Sequence, residues 1–186
     1  INNDSIKNFR NPKYLQYIFI CTFGVFLFLL LNKTYNPDSA LYHFPYVNIL
    51  NDNKIIFGVS NLHQRFGHIS IMQYLSAIHN NYFFGLNGMV IPLASMAVYS
   101  IFFFLSNTWS KKNLSPSNIF SILIILFICW KMNRYSEYGN DAPAHFTFFI
   151  IIQLYLNHIE KFSETDESIF YLISFFAIFA FLNKTF

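Results

Sequence analysis

The stretch YFFGLNGMVIPLASMAVYSIFFFL, residues 82–105, decides the class of this protein because it contains no Asp, Glu, Lys or Arg. A helix needs about 20 predominantly apolar residues to cross the hydrocarbon core of a bilayer. We therefore predict a membrane-spanning helix over residues 82–105, with a kink at Pro92.

Four further apolar runs, each bounded by charged residues, occur elsewhere in the chain: one before this stretch and three after it. The prediction is an all-α fold: a polytopic transmembrane helix bundle of about five spans. The spans are expected near residues 14–32, 82–105, 114–130, 142–159 and 168–183, within one transmembrane domain of residues 1–186. Because the chain begins at Ile1 and ends just after an apolar run, we expect it to be the N-terminal part of a longer membrane protein.

The composition indicates the same class of protein. Of 186 residues, 54% are hydrophobic, 21% aromatic and only 11% charged, whereas a soluble domain carries about a quarter charged residues. So apolar a chain is also unlike a disordered one. Its net charge of +3 gives no reason to expect a nucleic-acid partner, and membrane lipid is the expected surrounding. Cys21 and Cys129 lie in apolar runs, so neither a disulfide nor a zinc site is predicted.

The distribution of basic residues predicts the orientation of the chain in the membrane. The basic residues concerned are Lys7, Arg10 and Lys13 before the first span, and Lys111 and Lys112 between the second and third spans. Lys and Arg concentrate in cytoplasmic loops, so the N-terminus is predicted to be inside. Segments 33–81 and 131–141 then share the extracytoplasmic side.

The long first loop, residues 33–81, is predicted to contain two interfacial helices. Pro37, Asp38 and Ser39 are typical of a helix start, and the helix over residues 40–50 is expected to restart at Pro45. Residues 69–80 form an amphipathic pattern suited to the membrane interface. Its apolar face is Ile71, Met72, Leu75 and Ile78, and its polar face is Ser70, Gln73, Ala77 and Asn80.

Two aspartates on the extracytoplasmic side are candidate catalytic residues. Asp38 follows the first span, and Asp141 precedes the fourth. Each has two interpretations: an N-cap of the helix that follows it, or a carboxylate that accepts a proton or binds a cation. Since both lie near one membrane face, we predict that they converge on one cavity with at least one of His43, His63 and Arg65.

A basic pattern in the same loop suits a phosphate group. His63, Arg65 and His68 follow one another as H-x-R-x-x-H, and Arg offers a planar set of donors while His donates or shuttles protons. His43 and Arg134 are added as candidate substrate-binding residues, although Arg134 also suits an interface anchor. The spacing of the histidines does not match a structural zinc site.

Two sequence blocks carry a resemblance to a known group of proteins. DSALYH at residues 38–43 and GVSNLHQRFG at residues 58–67 resemble blocks of the form D-S/T-x-L-Y-H and G-x-x-N-L-H-x-R-x-G. Those blocks follow the first transmembrane helix in a group of bacterial multi-pass membrane proteins. That group in turn is similar to the GT-C glycosyltransferase superfamily, which includes protein mannosyltransferases and the lipid A aminoarabinose transferase.

The resemblance implies an enzyme of the bacterial cytoplasmic (inner) membrane that uses a polyprenyl-phosphate-linked sugar donor. Asp38 would be its catalytic carboxylate, acting as general base or ion ligand, and Asp141 the second, supporting acidic residue. No cofactor is certain: Ser39 and Ala40 stand where several GT-C families have further acidic residues, which leaves a divalent metal ion open. The alternative is a non-enzymatic transporter or flippase-like protein for a lipid-linked or anionic solute. A transporter should carry ionisable residues at mid-membrane depth in its spans, and the spans predicted here contain no Asp, Glu, Lys or Arg.

Overall fold

The computed structural model describes residues 12–31, 37–53, 56–68, 70–110, 114–131, 139, 141–160 and 167–183. These residues form helices and turns without any β-strand, so the predicted all-α class is confirmed for the described ranges. The helices are α1 (Pro12–Leu31), α2 (Phe44–Asn53), α3 (Ile71–His79), α4 (Ile91–Ser110), α5 (Pro116–Trp130), α6 (Asp141–Glu160) and α7 (Ser168–Asn183). Short turns complete the fold: a π-helical turn at Ser39–His43 and 3-10 turns at Val59–Asn61, Gln64–Gly67 and Gly85–Val90.

Helices α1, α4, α5, α6 and α7 occupy the five ranges that were predicted to span the membrane. By length and composition, one helix in the described part of the chain could cross a bilayer: Gly85–Trp109, which is α4 with its 3-10 start. Helix α5 has 15 residues, or about 22 Å, against a hydrocarbon core of roughly 30 Å. The count of five spans therefore remains a prediction.

Two prolines mark helix starts. Pro45 lies in the first turn of α2, so the predicted restart there is confirmed. Pro92 is the second residue of α4, where the 3-10 turn Gly85–Val90 passes into α-helix, and the expected mid-span kink is instead a change of helix type. The first turn of a helix leaves backbone N–H groups unpaired, which is why it accepts proline.

Helix α4 lies at the centre of the bundle and packs against α1, α3, α5 and α6, while α7 packs mainly on α6. The centre of the main core is formed by aliphatic and aromatic side chains from α4, α5 and α6, among them Ala94, Phe104, Ile128 and Phe146. A second core joins the first loop to the bundle, with Val47 of α2 and Met89 before α4 both fully buried.

Polar side chains fill part of the interior between α4, α5 and α6. Gln153 donates to the carbonyl of Ser117 at 3.1 Å and accepts from the Ser121 hydroxyl at 2.9 Å. Asn107 of α4 donates to the same hydroxyl at 2.8 Å. At the end of this network the Glu160 carboxylate accepts from the backbone N–H of Ser117 at 2.6 Å and from its hydroxyl at 2.7 Å. A carboxylate at a helix N-terminus is stabilised by the unpaired N–H groups there, so Glu160 joins the ends of α6 and α5.

Helix α3 lies where the amphipathic helix was predicted, but its polar side faces the protein. Ser70 and Gln73 of the predicted polar face are buried, and so is Met72 of the predicted apolar face, whereas Ile78 of that apolar face is 69% exposed. The polar face is buried because it finds partners: the Ser70 hydroxyl, for example, donates to the Asn183 Oδ1 at 3.2 Å. A buried polar group with a partner costs little, whereas one without a partner costs several kcal/mol, on the order of 2–7.

Candidate functional site

Asp38 lies immediately before the π-helical turn Ser39–His43 and does not cap it. Its backbone is already helical, and its side chain makes no capping hydrogen bond. Instead the carboxylate accepts a hydrogen bond from the phenol hydroxyl of Tyr42, one turn further along. The capping interpretation of Asp38 is therefore wrong, and the carboxylate belongs to a side-chain cluster.

The ring of Tyr42 is the surface on which this cluster is assembled. The guanidinium carbon of Arg65 lies 5.5 Å from the ring centroid, a cation–π arrangement. The imidazole of His63 stacks on the same ring at 6.2 Å, with 13° between the planes. Burial, and then the negative charge of Asp38, raises the pKa of the Tyr42 phenol, whereas Arg65 opposes that shift. One aromatic ring thus brings together a predicted acid and two predicted phosphate-binding residues.

A rigid pair of turns holds His63 and Arg65 in place. Gly58 precedes the first turn with a φ of +80°, a left-handed conformation that glycine adopts without strain. His63 caps the second turn, where its Nδ1 accepts from the backbone N–H of Arg65 at 3.2 Å. Nδ1 is therefore the acceptor nitrogen, and in the neutral ring Nε2 carries the proton. Both His63 and Arg65 have exposed side chains, so they remain available to a ligand.

His43, by contrast, is buried, with 7% of its surface exposed. Its ring centroid is 4.3 Å from that of Tyr42, and the Gln73 amide nitrogen lies 3.4 Å from its Nδ1. Burial lowers the pKa of His43 to about 4; the charges of Asp38 and Asp141 act against this shift, and Arg65 acts with it. The imidazole is therefore neutral at physiological pH, and the charges of three predicted site residues act on it.

Asp141 is the first residue of α6, where its negative charge is favoured by the N-terminal end of the helix dipole. Gly139, two residues earlier, lies against His43: a Cβ on this glycine would be 3.7 Å from Nε2. Asp38, His43, His63 and Arg65 thus lie around Tyr42, and the charge of Asp141 acts on His43. Arg134 lies outside the described residues, and His68 is exposed.

The described part of the chain contains no group of three or more His, Cys, Asp or Glu side chains placed to hold a metal ion. Outside the cluster, the Nδ1 of His79 donates to the Leu75 carbonyl at 2.7 Å.

Two members of the cluster were not predicted as site residues: Tyr42 and Gln73. Tyr42 follows Asp38 by four residues, the spacing at which side chains meet on one helical face. Gln73 belongs to an S-x-x-Q capping box: its Oε1 accepts from the Ser70 backbone N–H at 3.1 Å, while the Ser70 hydroxyl caps α3. That box is readable from sequence, but the second contact of Gln73, to His43, is not.

The burial of His43 gives a pH-dependent stability. In the unfolded chain His43 takes up a proton near its ordinary pKa of 6.5, whereas in the folded protein it does so near 4. Stability linked to His43 is therefore fully present above pH 6.5 and is lost as the pH falls to 4. The loss should be on the order of 3 kcal/mol.

We expect the free energy of unfolding in detergent, measured between pH 7.5 and pH 4, to fall less steeply for His43→Gln than for the wild type. His145→Gln, at an exposed histidine, is the matched control and should keep the wild-type slope. Equal slopes for the wild type and His43→Gln would contradict the prediction.

These features define the class: an all-helical protein with a polar interior and a cluster of acidic, aromatic, His and Arg side chains where the first loop meets α6. The chain belongs to the family described as domain of unknown function (DUF8201), whose sequence profile matches residues 2–186. Comparison with curated proteins and with solved structures gives no match.

Proposed function

We propose that this chain is the membrane-embedded domain of a GT-C-like glycosyltransferase, which uses a polyprenyl-phosphate-linked sugar to modify a cell-surface glycan, lipid or protein. The proposal is carried by one observation: the Asp38 carboxylate, the Arg65 guanidinium and the His63 imidazole all contact the side chain of Tyr42. Carboxylates beside an exposed cation and an exposed imidazole suit the transfer of a group from a phosphate leaving group.

The distribution of polar and apolar side chains supports placing the bundle in a membrane. Ser117, Ser121 and Gln153 are fully or almost fully buried, whereas α1, α5 and α7 expose large apolar side chains. The exposed residues on these three helices include Phe19, Ile20, Leu123, Leu126, Phe175 and Phe181. In water so large an apolar surface promotes aggregation, whereas in lipid it is solvated, and helices then associate through polar and small interior groups.

In the proposed reaction, Asp38 takes the proton from an acceptor hydroxyl. The hydroxyl oxygen forms a bond to the anomeric carbon of the donor sugar as the bond from that carbon to the phosphate oxygen breaks. The polyprenyl phosphate leaves with the bonding electrons, and Arg65 and His63 hold the resulting charge. Asp141, at the start of α6, is the second carboxylate of the site, and its negative charge acts on His43.

The proposed topology has a direct test. Single cysteines at Asn53, in the first loop, and at Leu114, just before α5, are introduced after Cys21 and Cys129 have been replaced by Ser. With the N-terminus inside, an impermeant thiol reagent added to intact cells should label Asn53→Cys and should label Leu114→Cys only after the cells are opened. Both positions are exposed, so access depends on the side of the membrane. The reverse pattern would overturn the orientation.

An assay distinguishes sugar transfer from transport of the lipid-linked sugar: the full-length protein is placed in vesicles with a labelled polyprenyl-phosphate sugar. A transferase breaks the bond between sugar and phosphate and passes the label to an acceptor, while a flippase moves the intact lipid across the bilayer. If the labelled sugar crosses the membrane while still attached to its lipid, the protein is a transporter and the proposal of a transferase is wrong.

A further inference from the structure

Gln73 is held in one orientation by a contact inside its own helix. Its Oε1 accepts from the backbone N–H of Ser70 at 3.1 Å, and the reverse orientation of the amide would set two donors against each other. Gln73 has 2% of its surface exposed, so water cannot replace that bond. The Ser70 hydroxyl is in turn within 3.2 Å of the Asn183 Oδ1 at the end of α7, which fixes this position further.

This orientation decides the tautomer of His43. The amide NH₂ of Gln73 must face the imidazole, where it lies 3.4 Å from Nδ1. Nδ1 is therefore an acceptor, and the single proton of the neutral ring is on Nε2. Nε2 faces Gly139, since a Cβ there would be 3.7 Å away, and Asp141 follows two residues later. The N–H of this buried imidazole thus lies beside Gly139, two residues before the start of α6.

We propose that Gln73 fixes His43 as the Nε2–H tautomer and that this N–H holds the start of α6, so that His43 is a positioning residue for Asp141. His43 then contacts no substrate, in contrast to the exposed His63 and Arg65. That Asp141 is a site carboxylate which needs positioning rests on the proposed function, whereas the tautomer of His43 does not depend on it. A neutral donor suits the task, because it orients a carboxylate without supplying a full positive charge that would lower its basicity.

The tautomer is measured by nitrogen NMR of the protein labelled with ¹⁵N-histidine, and His43 is identified by the signals that His43→Gln removes. At pH 7 we expect Nδ1 of His43 to give the shift of an unprotonated nitrogen and Nε2 that of a protonated one. A protonated Nδ1 in the wild type overturns the proposal. The wild-type spectrum decides this point without any folded variant of Gln73.

The role of Gln73 is tested by Gln73→Glu, whose carboxylate accepts but does not donate. The proton of His43 should then move to Nδ1 or both nitrogens should be protonated, and the Gly139 amide signal should shift with it. Gln64→Glu makes the same change of charge at an exposed position in the first loop and should leave His43 as it is. An unchanged His43 tautomer in folded Gln73→Glu overturns the proposal.

The proposed function and the positioning role of His43 can be contradicted independently of each other. An absence of sugar transfer by the full-length protein would remove the proposed function and leave an Nε2–H tautomer in place. A wild-type Nδ1–H tautomer would remove the positioning role while sugar transfer continued.

Discussion

Replacing Gly88 by alanine is expected to lower the free energy of unfolding by about 3 kcal/mol or more. Gly88 is buried in the 3-10 turn that precedes α4. A Cβ there would lie 2.8 Å from the carbonyl carbon of His79 and closer still to its oxygen. The obstacle is backbone at the end of α3, which cannot rotate away as the tip of a side chain can.

The matched control is Gly24→Ala in α1, where a Cβ would meet nothing within 4 Å. Alanine is favoured over glycine in a helix interior by roughly 1 kcal/mol, so this variant should be at least as stable as the wild type. Thermal unfolding in detergent, together with the yield of folded protein, measures both variants. Equal stability of the two variants would show that α3 and α4 do not approach as closely as described.

The contact at Gly88 matters for the candidate site because it docks α3 on the start of α4. The hydroxyl of Ser76 adds a hydrogen bond of 2.7 Å to the Met89 carbonyl across the same junction. Gln73 lies one turn earlier on α3, on the same buried side of the helix. A shift of α3 at Gly88 should therefore also displace the group that orients His43.

The positions of the helices could be predicted from the sequence because the signal is local. Apolar runs bounded by charges gave the ranges of α1 and α4 to α7, and Pro45 gave the restart of α2. Each of these features depends on residues that are adjacent in the chain.

The direction of the polar face of α3 could not be predicted, because its partners are far away in the chain. An amphipathic pattern shows that a helix has two faces, but it does not show which face meets protein and which meets solvent or lipid. Gln73 contacts His43, 30 residues earlier, and Ser70 contacts Asn183, 113 residues later. The contact of Ser117 with Glu160 was missed for the same reason, since 43 residues separate them.

For the candidate site, the sequence indicated several of the residues but not the role of each. Asp38 and Asp141 were predicted to share one cavity with at least one of His43, His63 and Arg65, because these residues lie on one predicted side of the membrane. The sequence gives no distinction between His43 and His63, yet one is buried and neutral while the other is exposed. Burial is a tertiary property, and it is what distinguishes the two imidazoles.

Asp38→Asn is expected to lower the kcat/KM for sugar transfer by the full-length protein at least 100-fold, the lower end of what a general base contributes. Asparagine has nearly the same size, and its side-chain oxygen can still accept the hydrogen bond that Tyr42 donates to Asp38. The cluster on the Tyr42 ring should therefore persist in this variant. What is lost is the ability to take a proton from the acceptor hydroxyl.

Asp52→Asn is the matched control, because Asp52 lies in the same loop on α2 and is exposed. It removes the same charge from the same side of the molecule, so it reports any effect of the loop's overall charge on binding of the anionic donor. Asp52→Asn should retain transfer close to the wild-type rate, and both variants should reach the membrane in equal amounts. If Asp38→Asn kept more than a tenth of wild-type transfer, Asp38 would hold Tyr42 and its neighbours in place without acting as the base. The proton acceptor would then have to be sought at Asp141, the other carboxylate whose charge acts on His43.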